Sequence, residues 1–294
     1  MSTLRAGRFA IGVGIARIAV HLVAGLLISA CVFPFVDAAK RRRHVQRWSA
    51  KLLTICGISV EVAPAAAQFP VHALVVANHV SWLDIFVINT LQPCRFVAKA
   101  DIRDWPLLGW LSAKAGTIFI ARGKLRAVRR IFEYVVETIR DGDVVAFFPE
   151  GTTAAQGALL PFHSNLFEAA IDAAVPIQPV ALRYLDSAGV LAPQANFIGE
   201  TTFVESLLTI LRSEKLVAQL IVLPVIDTAG THRRELAAHA QAAINTALGY
   251  SAMQPATVSA THLATHSAIH LVTHPAKSPE SEIPDNSPET THGQ

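Results

Sequence analysis

Six short apolar runs, near 73–77, 95–98, 117–121, 144–148, 177–183 and 217–226, read as strands, and most are separated by stretches with helical patterning. Leu125, Val128, Phe132, Val135 and Ile139 recur at helical spacing, and the pattern stops at Asp141-Gly142. Strands alternating with helices predict an α/β layer with helices on the sheet faces. In such layers ligand sites commonly lie at the carboxyl ends of strands. A length of 294 residues allows one such domain with appendages, or two small domains.

The first of these runs, Ala73 to Ala77, breaks into Asn78-His79-Val80-Ser81-Trp82-Leu83-Asp84 before a helix resumes. His79 then sits in the connecting turn, with Asp84 about one helical turn further on. An imidazole that donates from one nitrogen to a carboxylate is held in one tautomer, and its other nitrogen is free to take a proton from a hydroxyl. The plain alternative is that His79 caps the helix and Asp84 is a solvated helix residue. Further along, Gly116-Thr117-Ile118-Phe119-Ile120-Ala121-Arg122 is a strand running into an arginine, whose planar fork suits a phosphate. Phe147-Phe148-Pro149-Glu150-Gly151-Thr152 is a strand breaking into a turn. Val175-Pro176-Ile177-Gln178-Pro179-Val180 carries two prolines, which exclude a helix interior. Taken singly, Arg122 is an ordinary surface arginine and Pro149-Glu150-Gly151 an ordinary turn.

In this order and at these separations the four blocks resemble the signature blocks of the glycerolipid acyltransferases, most of all the bacterial 1-acylglycerol-3-phosphate acyltransferase family. The resemblance runs from about Val62 to about Val225. It implies a mixed sheet flanked by helices, with membrane-associated helices at the N-terminus. It also implies transfer of a fatty acyl group from acyl-CoA or acyl carrier protein to the free hydroxyl of a lysophospholipid, with no cofactor. Carried over by position, His79 is the base, and Asp84 orients it and offsets its developing charge. Arg122 and, less directly, Lys99 hold the acceptor phosphate. Glu150 would accept hydroxyl hydrogen bonds from the glycerol phosphate, beside Gly151 and Thr152, while Pro176 shapes the wall of the site. One departure bears on the head group. Where many relatives follow the glutamate-glycine-threonine with arginine or serine, this chain has Thr152-Thr153-Ala154. A site with one cation fewer also suits another lysolipid, such as a lyso-ornithine lipid. The rival from another class is a membrane protein that binds lysolipid without turnover, against which the intact His79, Asp84, Glu150 and Arg122 argue.

Apolar residues make up 52% of the chain and charged residues 16%, with a mean hydropathy of +0.40. Soluble proteins are about a quarter charged, so contact with a bilayer is expected. A net charge of +3 favours anionic surfaces weakly, and no interleaving of basic and aromatic residues suggests a nucleic-acid partner. Three scattered cysteines, Cys31, Cys56 and Cys94, form no disulfide framework or zinc site and indicate a reducing compartment. Neither a Gly-x-Ser-x-Gly elbow nor a Gly-x4-Gly-Lys loop occurs, which argues against a serine esterase and a nucleotide hydrolase.

Ile18 to Val36 is almost wholly apolar, long enough just to span hydrocarbon. Bulky residues around Cys31-Val32-Phe33-Pro34 disfavour a cleavage site. The basic Lys40-Arg41-Arg42-Arg43 follows, which puts the remainder on the cytoplasmic side of the inner membrane. In the next helix Val45, Trp48, Leu52 and Ile55 share one side and Arg43, Arg47 and Lys51 another, an interfacial pattern. The first helix either crosses the bilayer or dips into one leaflet. The expected organisation is therefore membrane-anchoring helices over 1–60, an acyltransferase domain over 61–250 and a tail over 251–294. In that tail His262, His266, His270 and His274 recur every fourth residue, but without acidic or cysteine partners they are expected to form no dedicated metal site. The Ser, Pro, Glu and Thr beyond Pro275 read as disorder.

Overall fold

The computed structural model describes residues 7–70, 72–104, 108–120 and 125–250. The tail with its four histidines and the Arg122 position lie outside the described residues. Seven strands follow in chain order: β1 (Ile58–Ala63), β2 (Leu74–Ala77), β3 (Arg95–Lys99), β4 (Ile118–Ile120), β5 (Val145–Phe147), β6 (Ile177–Leu185) and β7 (Leu216–Val222). They form one sheet in the order β1-β7-β6-β2-β5-β3-β4. Every neighbouring pair is parallel except β6 and β7, so the sheet is mixed, as expected. The helices are α1 (Arg8–Cys31), α2 (Ala38–Ile55), α3 (Asp84–Leu91), α4 (Leu108–Lys114), α5 (Leu125–Arg140), α6 (Glu168–Ala173), α7 (Phe203–Arg212) and α8 (Arg233–Leu248).

The central strands β2 and β5 are apolar throughout because both faces of the sheet are covered. Along β2, Val75 and Ala77 join Leu52, Leu53, Val87, Leu182 and Tyr184 in the core on one face, while Leu74 and Val76 join Val135, Ile139, Phe167, Leu236 and Ala240 on the other. Successive residues of a strand point to opposite faces, which is how four residues serve two cores. Helices α2, α3 and α7 cover the first face and α5, α6 and α8 the second.

Two N-terminal features differ from the sequence reading. β1 is an additional strand at the sheet edge, paired with β7. Its alternation of Ile58, Val60 and Val62 with Ser59 and Glu61 is a period-two signal in plain view. The apolar side of α2 faces protein rather than lipid. Leu52 and Leu53 are 3% and 1% exposed within the main core, and Trp48 packs against α1 and α3. The basic residues Arg41, Arg42, Arg43, Arg47 and Lys51 remain exposed. An amphipathic helix beside an apolar sheet gains more by covering that sheet, which water would otherwise reach, than by facing lipid.

α1 lies along this body. His21 and Trp48 stack at 4.6 Å and exchange hydrogen bonds, His21 Nε2 to the Trp48 carbonyl oxygen at 2.9 Å and Trp48 Nε1 to the His21 carbonyl oxygen at 3.1 Å. Gly25 permits this approach, since a Cβ there would meet Trp48 Nε1 at 2.6 Å. Ile18, Gly25 and Ser29 face the protein, whereas Phe9, Val20, Val23 and Leu27 are 54–86% exposed. The span Phe9–Phe35 is long and apolar enough to cross a membrane, by length and composition.

Candidate active site

The carboxyl end of β2 is held by Asn78. Its side chain donates to the Leu182 carbonyl oxygen at 2.9 Å and accepts from the Leu182 amide at 2.8 Å, extending the pairing of β2 with β6 by one residue. The chain then turns, and α3 begins at Asp84. Asp84 is fully buried, which ionised carboxylates tolerate only when their oxygens are satisfied. Oδ2 accepts from His79 Nδ1 at 2.8 Å and from the backbone amides of Val80 and Ser81 at 2.7 and 2.9 Å. Oδ1 accepts from the Tyr184 hydroxyl at 2.6 Å. With Nδ1 engaged as a donor, Nε2 is the nitrogen left to receive a proton. The His79 side chain is 19% exposed, so substrate can reach it.

Phe148, the residue after β5, stacks on the imidazole with centroids 3.9 Å apart and planes 8° from parallel. Phe96 of β3 also stacks on Phe148, with centroids 5.9 Å apart. The turn beyond Phe148 holds the third sequence block. Gly151 has φ of +70°, the left-handed region that glycine adopts without strain. Thr152 is exposed, while the Thr153 hydroxyl donates to the Phe197 carbonyl oxygen. The Ala154 amide donates to the His79 carbonyl oxygen at 2.8 Å, so this loop and the His79 turn are tied to each other.

Glu150 is tied to the backbone through both of its carboxylate oxygens. It is 4% exposed, and each carboxylate oxygen accepts a backbone amide at 2.8 Å, Oε1 from His79 and Oε2 from Leu160. These contacts pin the His79 backbone and the loop at Leu160. Burial pushes its carboxyl group above the ordinary value, and the two amides oppose that shift.

Two of the four sequence blocks, those of His79 and Glu150, end at the carboxyl edges of the neighbouring strands β2 and β5, whereas Pro176 lies at the amino end of β6, away from His79. His79 follows β2, Glu150 and Gly151 follow β5, and Lys99 closes β3 and is exposed, while β4 lies within the third sequence run, whose Arg122 is outside the described residues. Pro176 precedes β6, whose pairing with β2 starts at Leu74 opposite Ile177. Tyr184, Phe148 and Glu150 acquire roles at the dyad that local patterning did not indicate. The one available signal for Tyr184 was its place two residues beyond Leu182, on the same face of an apolar strand.

The acyltransferase family model matches residues 63–183, which contain the dyad and all four blocks. A lyso-ornithine lipid O-acyltransferase from Pseudomonas aeruginosa is 40% identical over 216 residues, 73% of this chain and 82% of that protein. The chain belongs to the acyltransferase family. A 1-acyl-sn-glycerol-3-phosphate acyltransferase from Neisseria meningitidis is 44% identical over 149 residues, 51% of this chain and 58% of that protein. In fold, the chain is similar to the crystal structure of the 1-acyl-sn-glycerophosphate acyltransferase PlsC from Thermotoga maritima, with a TM-score of 0.61 at 21% identity over 82% of this chain and 94% of that one. In this acyltransferase the hydrogen-bonded His79–Asp84 pair stands at the carboxyl edge of the sheet.

Proposed function

We propose that this acyltransferase moves a fatty acyl group from a thioester of coenzyme A or acyl carrier protein to the free hydroxyl of 1-acylglycerol-3-phosphate, giving phosphatidate for phospholipid synthesis. The observation that supports this reading is the strand order. β2, β5, β3 and β4 are consecutive neighbours, so His79, after β2, and Lys99, at the end of β3, lie along one edge of the sheet, and in the sequence Arg122 comes two residues after β4. Neighbouring strands are roughly 4.8 Å apart, and only β5 separates β2 from β3, a gap on the scale of a long lysine side chain. A hydroxyl at His79 and a phosphate further along that edge fit one lysophosphatidate molecule. As the hydroxyl oxygen attacks the thioester carbonyl, its proton passes to His79 Nε2. Asp84 offsets the charge on the imidazolium. Collapse of the tetrahedral species breaks the carbon–sulfur bond, and the departing thiolate takes up the proton.

The membrane supplies the acceptor. The exposed apolar residues of α1 and the exposed basic residues of α2 support docking on the cytoplasmic face of the inner membrane. Because α1 is fastened to α2 along one side, we read it as lying in one leaflet instead of crossing. On this reading 1–60 both anchors the chain and completes its core.

A second reading has its own support. Thr153, where many relatives place a cation or serine, is turned to the Phe197 carbonyl oxygen, and the Pseudomonas relative named for lyso-ornithine lipid aligns over the longer stretch. The deciding experiment gives the purified full chain in detergent both acceptors, each with labelled acyl-CoA and acyl carrier protein, and identifies products by mass spectrometry. Phosphatidate is the expected product. Acylation of lyso-ornithine lipid with lysophosphatidate left untouched would overturn the acceptor assignment.

A further inference from the structure

We propose that Tyr184 is a positioning residue of the catalytic pair, fixing Asp84 through Oδ1 so that Oδ2 is held in line with His79 Nδ1. The proposal rests on the acyl-transfer reading of His79. Three donors converge on Oδ2, all from the same short turn, and they leave rotation of the carboxylate about its Cβ–Cγ bond restrained at one oxygen only. The Tyr184 hydroxyl at 2.6 Å secures the other.

Tyr184 is built for this placement. It lies on β6 in line with Val180 and Leu182, whose side chains share the same core, and it is fully buried. Phenylalanine would fill that core equally well without a hydroxyl to satisfy. A buried hydroxyl is costly unless it is bonded, and this one is bonded to the carboxylate that orients the base. The strand beneath it is clamped as well. The Tyr184 amide donates to Gln156 Oε1 at 2.6 Å, and Gln156 Nε2 donates to the Ala192 carbonyl oxygen at 3.0 Å and to that of Tyr184 at 3.3 Å. Gln156 belongs to the loop whose Ala154 amide holds the His79 carbonyl oxygen. Burial, reinforced by the charge of Asp84, holds the phenol well above its ordinary value, so it stays a donor across the working range. Glu150, after β5, is coupled electrostatically to His79 and Asp84.

The test is the pH dependence of turnover in Tyr184→Phe and in protein carrying 3-fluorotyrosine at position 184 alone. Losing the hydroxyl leaves more negative charge on Asp84 to stabilise the imidazolium, so the acidic limb of the kcat profile moves to higher pH. Fluorotyrosine is the more acidic phenol and the stronger donor, so its limb moves the other way. Turnover of Tyr184→Phe falls roughly 10-fold, the scale of one hydrogen bond to a buried charge, with the Michaelis constants of both substrates nearly unchanged. Acidic limbs that stay at the wild-type position in both proteins overturn the proposal, whatever happens to the rate. Should Tyr184→Phe not fold, the nearly isosteric fluorotyrosine protein decides alone. If wild-type protein acylates neither lysolipid, the acyl-transfer reading fails. The imidazole resonance of His79, assigned by its absence from His79→Gln, then reports the same opposite displacements in the full chain without turnover.

Discussion

Phe148 lies flat against the His79 imidazole, 3.9 Å between centroids and 8° from parallel. The hydrogen bond to Asp84 fixes one edge of the imidazole, and the stack fixes its plane. An aromatic face also favours the imidazolium that forms as the hydroxyl is deprotonated. Aromatic pairs contribute about 0.5–1.5 kcal/mol beyond their buried area, and 1.36 kcal/mol is tenfold in rate. Phe148→Leu should therefore lower kcat by about 2- to 10-fold with little change in acceptor affinity. Steady-state kinetics check this, and an unaltered kcat would reduce the stack to packing.

His79→Ala should lower turnover by about 10²- to 10⁴-fold, the range for a positioned acid–base group. Asp84→Asn should also depress it, because an amide bears no charge to offset the imidazolium and can hold the ring in the wrong tautomer. Asp84→Asn will also cost stability, because its oxygens accept four hydrogen bonds in a fully buried site and an amide nitrogen cannot accept. Thermal unfolding measured beside single-turnover rates separates the two effects. A fully active Asp84→Asn would contradict the proposed pair.

For the cationic residues, Arg122→Ala and Lys99→Ala should raise the Michaelis constant for lysophosphatidate more than that for the acyl donor. Such contacts exist in the ground state as well as the transition state. Arg122→Lys should restore only part of the loss, since an ammonium lacks the bidentate fork. Equal effects on donor and acceptor would move these residues to the phosphates of coenzyme A.

The test of membrane docking must spare α2, because Leu52 and Leu53 belong to the core. Val20, Val23 and Leu27 are 70%, 54% and 59% exposed on α1. Placing one carboxylate in hydrocarbon costs on the order of 2.5–3.5 kcal/mol. The combined Val20→Asp, Val23→Asp, Leu27→Asp variant should leave vesicles in flotation assays while its melting temperature in detergent hardly changes. Continued flotation at high salt would place the docking surface elsewhere.

Glu150 gives a pH signature of its own. Burial raises its folded-state value above the unfolded one, so folding favours the protonated form. Its contribution to stability is full below the unfolded value of 4.5 and is lost as pH rises through the folded value. The melting temperature of wild type minus that of Glu150→Gln should therefore decline from about pH 4 upward. A difference that grows with pH would mean that the two amide hydrogen bonds outweigh burial.

The interior of the fold was legible because its signals are local. Continuous apolar runs such as Val145–Phe147 mark strands covered on both faces, and the spacing of Val135 and Ile139 marks the helix that covers one of them. The pairing of His79 with Asp84 is local too, since five residues across a strand-to-helix turn leave few arrangements and the amides of Val80 and Ser81 favour this one. Tertiary structure decided the rest. Periodicity says that α2 has an apolar side but not whether lipid or sheet will cover it. Glu150 reaches the His79 amide across 71 positions and Tyr184 reaches Asp84 across 100. Those contacts depend on β5 and β6 flanking β2, a strand order set by the competition of whole faces for burial, which no single segment encodes.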